Sequence, residues 1–232
     1  MARRALHDDV LDALGRRIVE GTLAPGAVLT LDGVDTTYDV SRSVSREAVR
    51  VLEALGMVAS RRRVGVTVLP RRSWNVFDPR VIRWRLDSAD RVEQLRTLGE
   101  LRGGFEPVAA GFAAERATPD QAARLTTLAS DMVAHGRAGD LEAFLEADIA
   151  FHATLLEASG NEMIAALGGL VAEVLAGRTH HDLMPDHPKQ EAVDLHVRVA
   201  AAVRAGDPGA ARTAMQAIID EATEAVTEAG DA

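Results

Sequence analysis

Between Val40 and Arg72 the chain sets eight arginines (Arg42, Arg46, Arg50, Arg61, Arg62, Arg63, Arg71 and Arg72) against two acids, Glu47 and Glu53. Guanidinium groups donate to phosphate oxygens and to the acceptor edges of bases, so this stretch has the chemistry of a polyanion grip. Ser41, Ser43 and Ser45 interleave with the first arginines and add short hydroxyl donors. At about 100° per residue, Val44, Ala48, Val51, Leu52 and Leu55 fall in one arc. Arg42, Arg46 and Arg50 fall in a second arc nearly opposite. A helix here buries one face and offers a row of arginines on the other. Gly56 stops it, and MVAS and VTVL then alternate as two short strands around Arg61, Arg62, Arg63 and Gly65. A helix followed by a basic hairpin suits a winged helix-turn-helix, helix in the major groove and wing on the backbone. The bland alternative is a solvated charged face. The charge contrast argues against it: residues 1–72 hold 12 basic and 9 acidic residues, the remainder 14 and 26, within a chain of net charge −9.

A second group of residues could hold a ligand. Asp148 and His152 lie four apart, on the face expected to carry Leu141, Leu145 and Leu155, and His196 shares its face with Val199 and Val203. Asp-x3-His with a distant His is a reasonable metal set, a hard carboxylate and two imidazoles suiting Zn, Ni or Mn. The plainer reading is that Asp148 and His152 hydrogen-bond each other and a neighbouring carbonyl, and spacing alone favours it. Arg102 lies near the stripe of Leu98, Leu101, Phe105, Val108 and Phe112. It could clamp a carboxylate bidentately, or pair with Glu106 one turn on. His180, His181 and His187 crowd a loop-like stretch whose role the residues leave open.

The elements that must position these groups follow from periodicity. Leu6, Val10, Leu14 and Ile18 predict a first helix to about Glu20, a weak second helix spans Thr30 to Asp39, and the recognition helix and wing come next. After Pro70 we expect a linker over 71–77. A short helix near 79–86 follows, then long helices near 90–117, 119–137, 141–159, 161–182, 188–205 and 208–229. The fold class is therefore mainly α. An N-terminal winged helix-turn-helix (1–70) with a small β-hairpin wing precedes an all-α bundle (78–232) for effector binding and dimerisation. With 232 residues and 47% hydrophobic content there is ample core, and with 3% aromatics it must be aliphatic. The absence of cysteine suits a reducing cytoplasm. No apolar run approaches the ~18 residues of a membrane span, and the charged start has no signal-peptide pattern.

The chain resembles the GntR family of bacterial transcription regulators, in its FadR subgroup. IVEGTLAPGAVL, VSRSVSREAVRVLEALGMV and RRRVGVTV carry the likeness at the front. LGELRGGFEPVAAGFAAERAT, EADIAFHATLLEASGN and LHVRVAAAVRAGDPGAARTAM resemble the family's FCD effector domain, and RRSWNVFDPRVIRWRL is similar to its galactonate and gluconate branch. The resemblance implies DNA contacts from Ser41, Arg42, Ser43 and Arg46, with wing contacts around Arg63 and Gly65. It implies that Asp148, His152 and His196 occupy metal-ligand positions for one divalent ion, and that Arg102 binds effector. Arg178 and His180 complete the effector-binding candidates. Two departures stand out. Ile218 occupies the place of a frequent fourth His ligand, with Glu221 one turn on as a weak substitute. Asp32 stands where the family often presents a basic residue to DNA.

These readings converge on a homodimeric repressor of a sugar-acid or related carboxylate operon, released from double-stranded operator DNA by its small carboxylate effector. The dimer is expected because one recognition helix covers one half-site. The rival is a metal-dependent enzyme acting on an acidic substrate, its open three-ligand site activating water. No general base or nucleophile stands at motif spacing near the cluster, so we expect no enzymatic activity.

Overall fold

The computed structural model describes residues 2–180 and 188–230, with side chains over 8–180 and 188–226; His181 and His187 lie outside the described residues. The chain divides into two compact units, one up to Arg91 and one from Val92.

In the first unit, α1 (Ala2–Val19) is followed by β1 (Val28–Leu29), α2 (Leu31–Tyr38), α3 (Arg42–Ala54), β2 (Val58–Arg61) and β3 (Gly65–Val68). A 3-10 turn (Arg71–Ser73) and α4 (Pro79–Leu86) complete it. The strands form an antiparallel sheet in the order β1-β3-β2, with Val28 opposite Thr67 and Arg61 opposite Gly65. The two-residue β1 is too short for period-2 alternation to announce it. Val10, Leu11, Leu14 and Ile18 of α1 pack with Val44, Ala48 and Leu52 of α3 and with Val58, Val66 and Val68 of the sheet. The buried face of α3 is broader than its spacing indicated. Val49 and Ser45 are buried and Val51 only half so, because α1 and α2 both pack on α3. Ser45 is 0% exposed and cannot serve as a phosphate donor.

The segment expected to be a linker (71–77), and the helix expected to open the effector domain at 78, both pack with this first unit. Asn75 N–H donates to Leu55 O at 2.8 Å, and Trp74 Nε1 to Leu69 O at 3.2 Å. Val81 and Trp84 of α4 enter the N-terminal core, where Trp84 Nε1 donates to Asp12 Oδ1 at 2.9 Å. The cause is a shape match: a Cβ on Gly15 would lie 2.6 Å from the Trp84 indole, so only glycine leaves room for the ring.

The second unit contains α5 (Arg91–Arg116, its first residue at the boundary), α6 (Pro119–Ala138), α7 (Leu141–Ala158), α8 (Glu162–Ala165), α9 (Gly168–His180), α10 (Gln190–Ala205) and α11 (Pro208–Gly230). Local signals set the ends. Thr118 and Gln121 form a capping box on α6, and Asp140 Oδ1 accepts from Ala143 N–H to cap α7. Gly206 ends α10 in the left-handed region at φ 68, and Pro208 opens α11. The single helix expected over 161–182 is two, because Asn161 caps a short α8 that ends before α9 begins. Phe144, Phe151 and Leu155 of α7, Val199 and Val203 of α10, and Met215 and Ile219 of α11 form the core with Leu125 and Met132 of α6. This is a mainly aliphatic core with two phenylalanines, as the composition required.

Candidate nucleic-acid interface and ligand site

The N-terminal surface comes first. Ser41, Arg42, Ser43, Arg46 and Arg50 are all exposed on α3, and Arg61, Arg62 and Arg63 on the wing. Ser41 is the N-cap residue of α3, and its Oγ lies 3.0 Å from Ser43 Oγ. Arg46 pairs with no described residue, whereas Arg50 Nη1 donates to Glu47 Oε2 at 3.2 Å. Arg42 is engaged through one nitrogen: its Nη1 donates to Asp32, and to Asp35 Oδ2 at 3.2 Å. Arg63 takes φ 65 at the hairpin tip, and Gly65 takes φ 114 with its α-carbon so close to β1 that a Cβ would sit 2.7 Å from Leu29 O. Gly65 is therefore required by the wing's backbone. Glu53, one of the two acids in this stretch, accepts from Ser60 N–H at 2.6 Å and ties the end of α3 to β2.

In the bundle, Asp148 and His152 of α7 and His196 of α10 converge. One ligand atom from each lies within 4.8 Å of the others, and all three residues are buried. Asp148 Oδ1 is 3.4 Å from His152 Nε2 and 3.3 Å from His196 Nε2. These approaches lack hydrogen-bond geometry, so all three atoms are buried without a hydrogen-bond partner. The simple Asp148–His152 pair is thus not what forms. Each imidazole turns its other nitrogen to a different oxygen: His196 Nδ1 lies 2.8 Å from Ala192 O, a hydrogen-bond contact, and His152 Nδ1 lies 2.6 Å from Glu106 Oε2, an ion-pair approach without hydrogen-bond geometry. Those partners turn both Nε2 atoms toward Asp148, the arrangement that metal-binding histidines use. Phe151 packs edge-on against both rings, at centroid distances of 5.9 and 5.2 Å, and holds their planes.

Electrostatics couples the cluster. Burial alone would raise the Glu106 carboxyl, but Arg102 and His152 outweigh it and hold its pKa down to about 2. Asp148 is likewise held below the usual carboxylate range, burial being overcome by the close approach of the His152 and His196 imidazoles. Burial works against a charged His152, yet Glu106 and Asp148 raise its pKa to about 9.

A cavity opens beside this cluster, lined in part by Arg102, Asp148, His152, Arg178, His196, Ile218 and Glu221. Arg102 is 2% exposed and its guanidinium is committed to Glu106, the duller of its two expected partners. Arg178, half-buried, has a buried Nε without a hydrogen-bond partner. Burial, and after it the like charge of Arg102, push its pKa below the ordinary arginine value. His180 does not line the cavity; it is exposed, with Nε2 3.5 Å from Glu142 Oε2. It sits at the very end of α9, two residues beyond Arg178, which places it about 200° around the helix from that residue. Ile218 presents a buried apolar side chain at the cavity wall, and Glu221 is 3.5 Å from Lys189 Nζ. Glu106 as the partner of His152 was not legible beforehand. Its i,i+4 spacing pointed only to Arg102, and nothing in spacing tells which helix packs across.

Comparison with known proteins gives the family of the chain. The family model for bacterial regulatory proteins of the gntR family matches residues 6–68, and that of the FCD domain matches residues 97–221. The chain is 29% identical over 223 residues to the galactonate operon transcriptional repressor of Escherichia coli (strain K12), spanning 95% of this chain and 96% of that one. It is 30% identical over 206 residues to the HTH-type transcriptional regulator LutR of Bacillus subtilis (strain 168), spanning 86% and 91%. Among solved structures, Streptococcus agalactiae GntR superposes with a TM-score of 0.53 at 26% identity, over 94% of this chain and 99% of that one. These relatives are transcription regulators, and the metal-dependent enzyme gives way as a rival. No helix among the described residues is long and apolar enough to cross a membrane. With a winged helix at its front and an FCD domain over more than half its length, the chain belongs to the GntR family of DNA-binding transcription regulators.

Proposed function

We propose that the protein is a homodimeric, cytoplasmic repressor of a sugar-acid (galactonate- or gluconate-like) or related carboxylate operon, released from its operator when the acid fills the bundle cavity. The first unit reads duplex DNA through Ser41, Arg42, Ser43, Arg46 and Arg50, with Arg61, Arg62, Arg63 and Gly65 forming the wing. The second unit binds effector and pairs with its copy. The name of the Escherichia coli relative supports the sugar-acid class, and two-fold operators support the pair.

One observation carries the effector reading: an arginine with an unpartnered buried nitrogen lines the same cavity as three converging ligand atoms. Arg178 takes the effector carboxylate. Arg102 acts from behind, holding Glu106 and through it His152. Asp148, His152 and His196 would hold one Zn, Ni or Mn ion, and their buried, unpartnered nitrogens and oxygen fit that role. Such an ion supplies a Lewis acid for the carboxylate and hydroxyl oxygens of the acid. Ile218 leaves the protein's ligand set at three, so the effector or water completes the coordination. A tenfold loss of operator affinity requires about 1.4 kcal/mol of coupling.

The test is a thermal-shift screen of aldonates and related small acids, with and without a chelator, followed by operator release. A carboxylate that stabilises the protein and frees a bound promoter fragment supports the reading. If acids that stabilise it never displace DNA, the cavity is not the regulatory site.

A further inference from the structure

The acids of α2 bear on how α3 reads DNA. Asp32 and Asp35 lie three apart on one face of α2, whose start is fixed by Thr30 Oγ1 accepting from Gly33 N–H at 3.0 Å. Both carboxylates reach Arg42, the first residue of α3, and both take their hydrogen bond from the same nitrogen, Nη1. The Nε/Nη2 edge of the guanidinium is left out of these contacts, and the side chain is 50% exposed. An ion pair this open to water adds little to stability. What it does supply is direction, since a guanidinium fork clamped along one edge presents the other.

Its charge pattern also matters. A phosphate approaching Arg42 meets two carboxylates beside it and is repelled, whereas a base edge carries no net charge. The arginine with acids at its back is therefore biased from backbone to base. Guanine is the base whose major-groove edge offers two acceptors, N7 and O6, to such a fork. N-terminal residues of a recognition helix are the ones that reach base edges.

We infer that Asp32 and Asp35 are positioning residues that clamp Arg42 by Nη1 and aim its free edge at a guanine in each operator half-site. The inference rests on α3 being the recognition helix. It also gives a role to Asp32, which stands where a basic residue is frequent.

The experiment selects binding sites from a random duplex pool with the full-length protein and with Arg42→Ala, Asp32→Asn, Asp35→Asn and the double Asn variant. Circular dichroism verifies that each is folded. The wild-type half-site should contain a guanine whose preference vanishes in Arg42→Ala. The double Asn variant should lose preference at that same position alone, by about tenfold, within the range of a bidentate base contact. Its affinity for random duplex should hold or rise, because the acids no longer repel phosphate. Full discrimination at the Arg42-dependent position in the double Asn variant overturns the inference. If Arg42→Ala changes no position, base reading by this arginine falls and the inference with it, whereas loss of every preference in the Asn variants would mark a merely structural role and overturn it too.

Discussion

His152 Nδ1 lies 2.6 Å from Glu106 Oε2, and the same carboxylate takes a hydrogen bond from Arg102 Nε. One buried carboxylate thus connects α5 to the ligand cluster on α7. It bears on which imidazole nitrogen faces the cavity, and it engages the Nε/Nη2 edge of the arginine that the resemblance had implied as effector-binding.

The first consequence concerns metal. His152→Ala should abolish stoichiometric Zn or Ni binding in titration calorimetry. Glu106→Gln, which keeps the shape but not the charge behind His152, should weaken it ~10–100-fold, the usual cost of losing an outer-shell partner. Equal affinity in the wild type and both variants would remove this cluster from the account.

Arg102 and Arg178 should separate cleanly. Arg178→Ala should leave DNA binding intact and abolish release by the acid, read as operator affinity with and without effector. Arg102→Ala should instead destabilise the bundle by ~3–5 kcal/mol, because it strands a buried Glu106 charge. Denaturant unfolding of the two variants checks this; a stable Arg102→Ala that only loses effector response would restore the direct clamp.

On the DNA side, Arg46→Ala should remove specific operator binding without altering the far-ultraviolet helical signal. Arg62→Ala, at the wing, should weaken every duplex alike and lower the slope of log affinity against log salt by about 1. Retained sequence preference in Arg46→Ala would count against α3 as the reading helix.

Trp84 offers a test of the first unit. Trp84→Ala should cost ~3–5 kcal/mol, and hydrogen exchange should place the lost protection in α1, α3 and α4. Loss confined to the bundle would contradict the packing of Trp84 against Gly15 and Asp12.

Much of this was legible in the residues, and what escaped has a common cause. The two-faced helix 42–54, its glycine stop and the bundle helices follow from periodicity and caps, which are local. The boundary escaped because α4 belongs to whichever core accepts Trp84, and only the cleft left by Gly15 decides that. Ser45 escaped because a hydroxyl beside an arginine reads as exposed until α1 and α2 close over it. Asp148, His152 and His196 could be named from spacing and resemblance. That the two imidazole Nε2 atoms face one Asp148 oxygen without hydrogen bonds, and that Arg178 rather than Arg102 has an unpartnered buried nitrogen, depends on contacts between helices far apart in the chain.

The Glu53–Ser60 hydrogen bond has a consequence for operator design. By fastening the wing's first strand to the last turn of α3, it sets a fixed offset between the bases one reads and the sugar-phosphate rail the other touches. Half-sites that bind well should then tolerate changes in base identity at the wing end but not insertion of a single base pair between the two footprints.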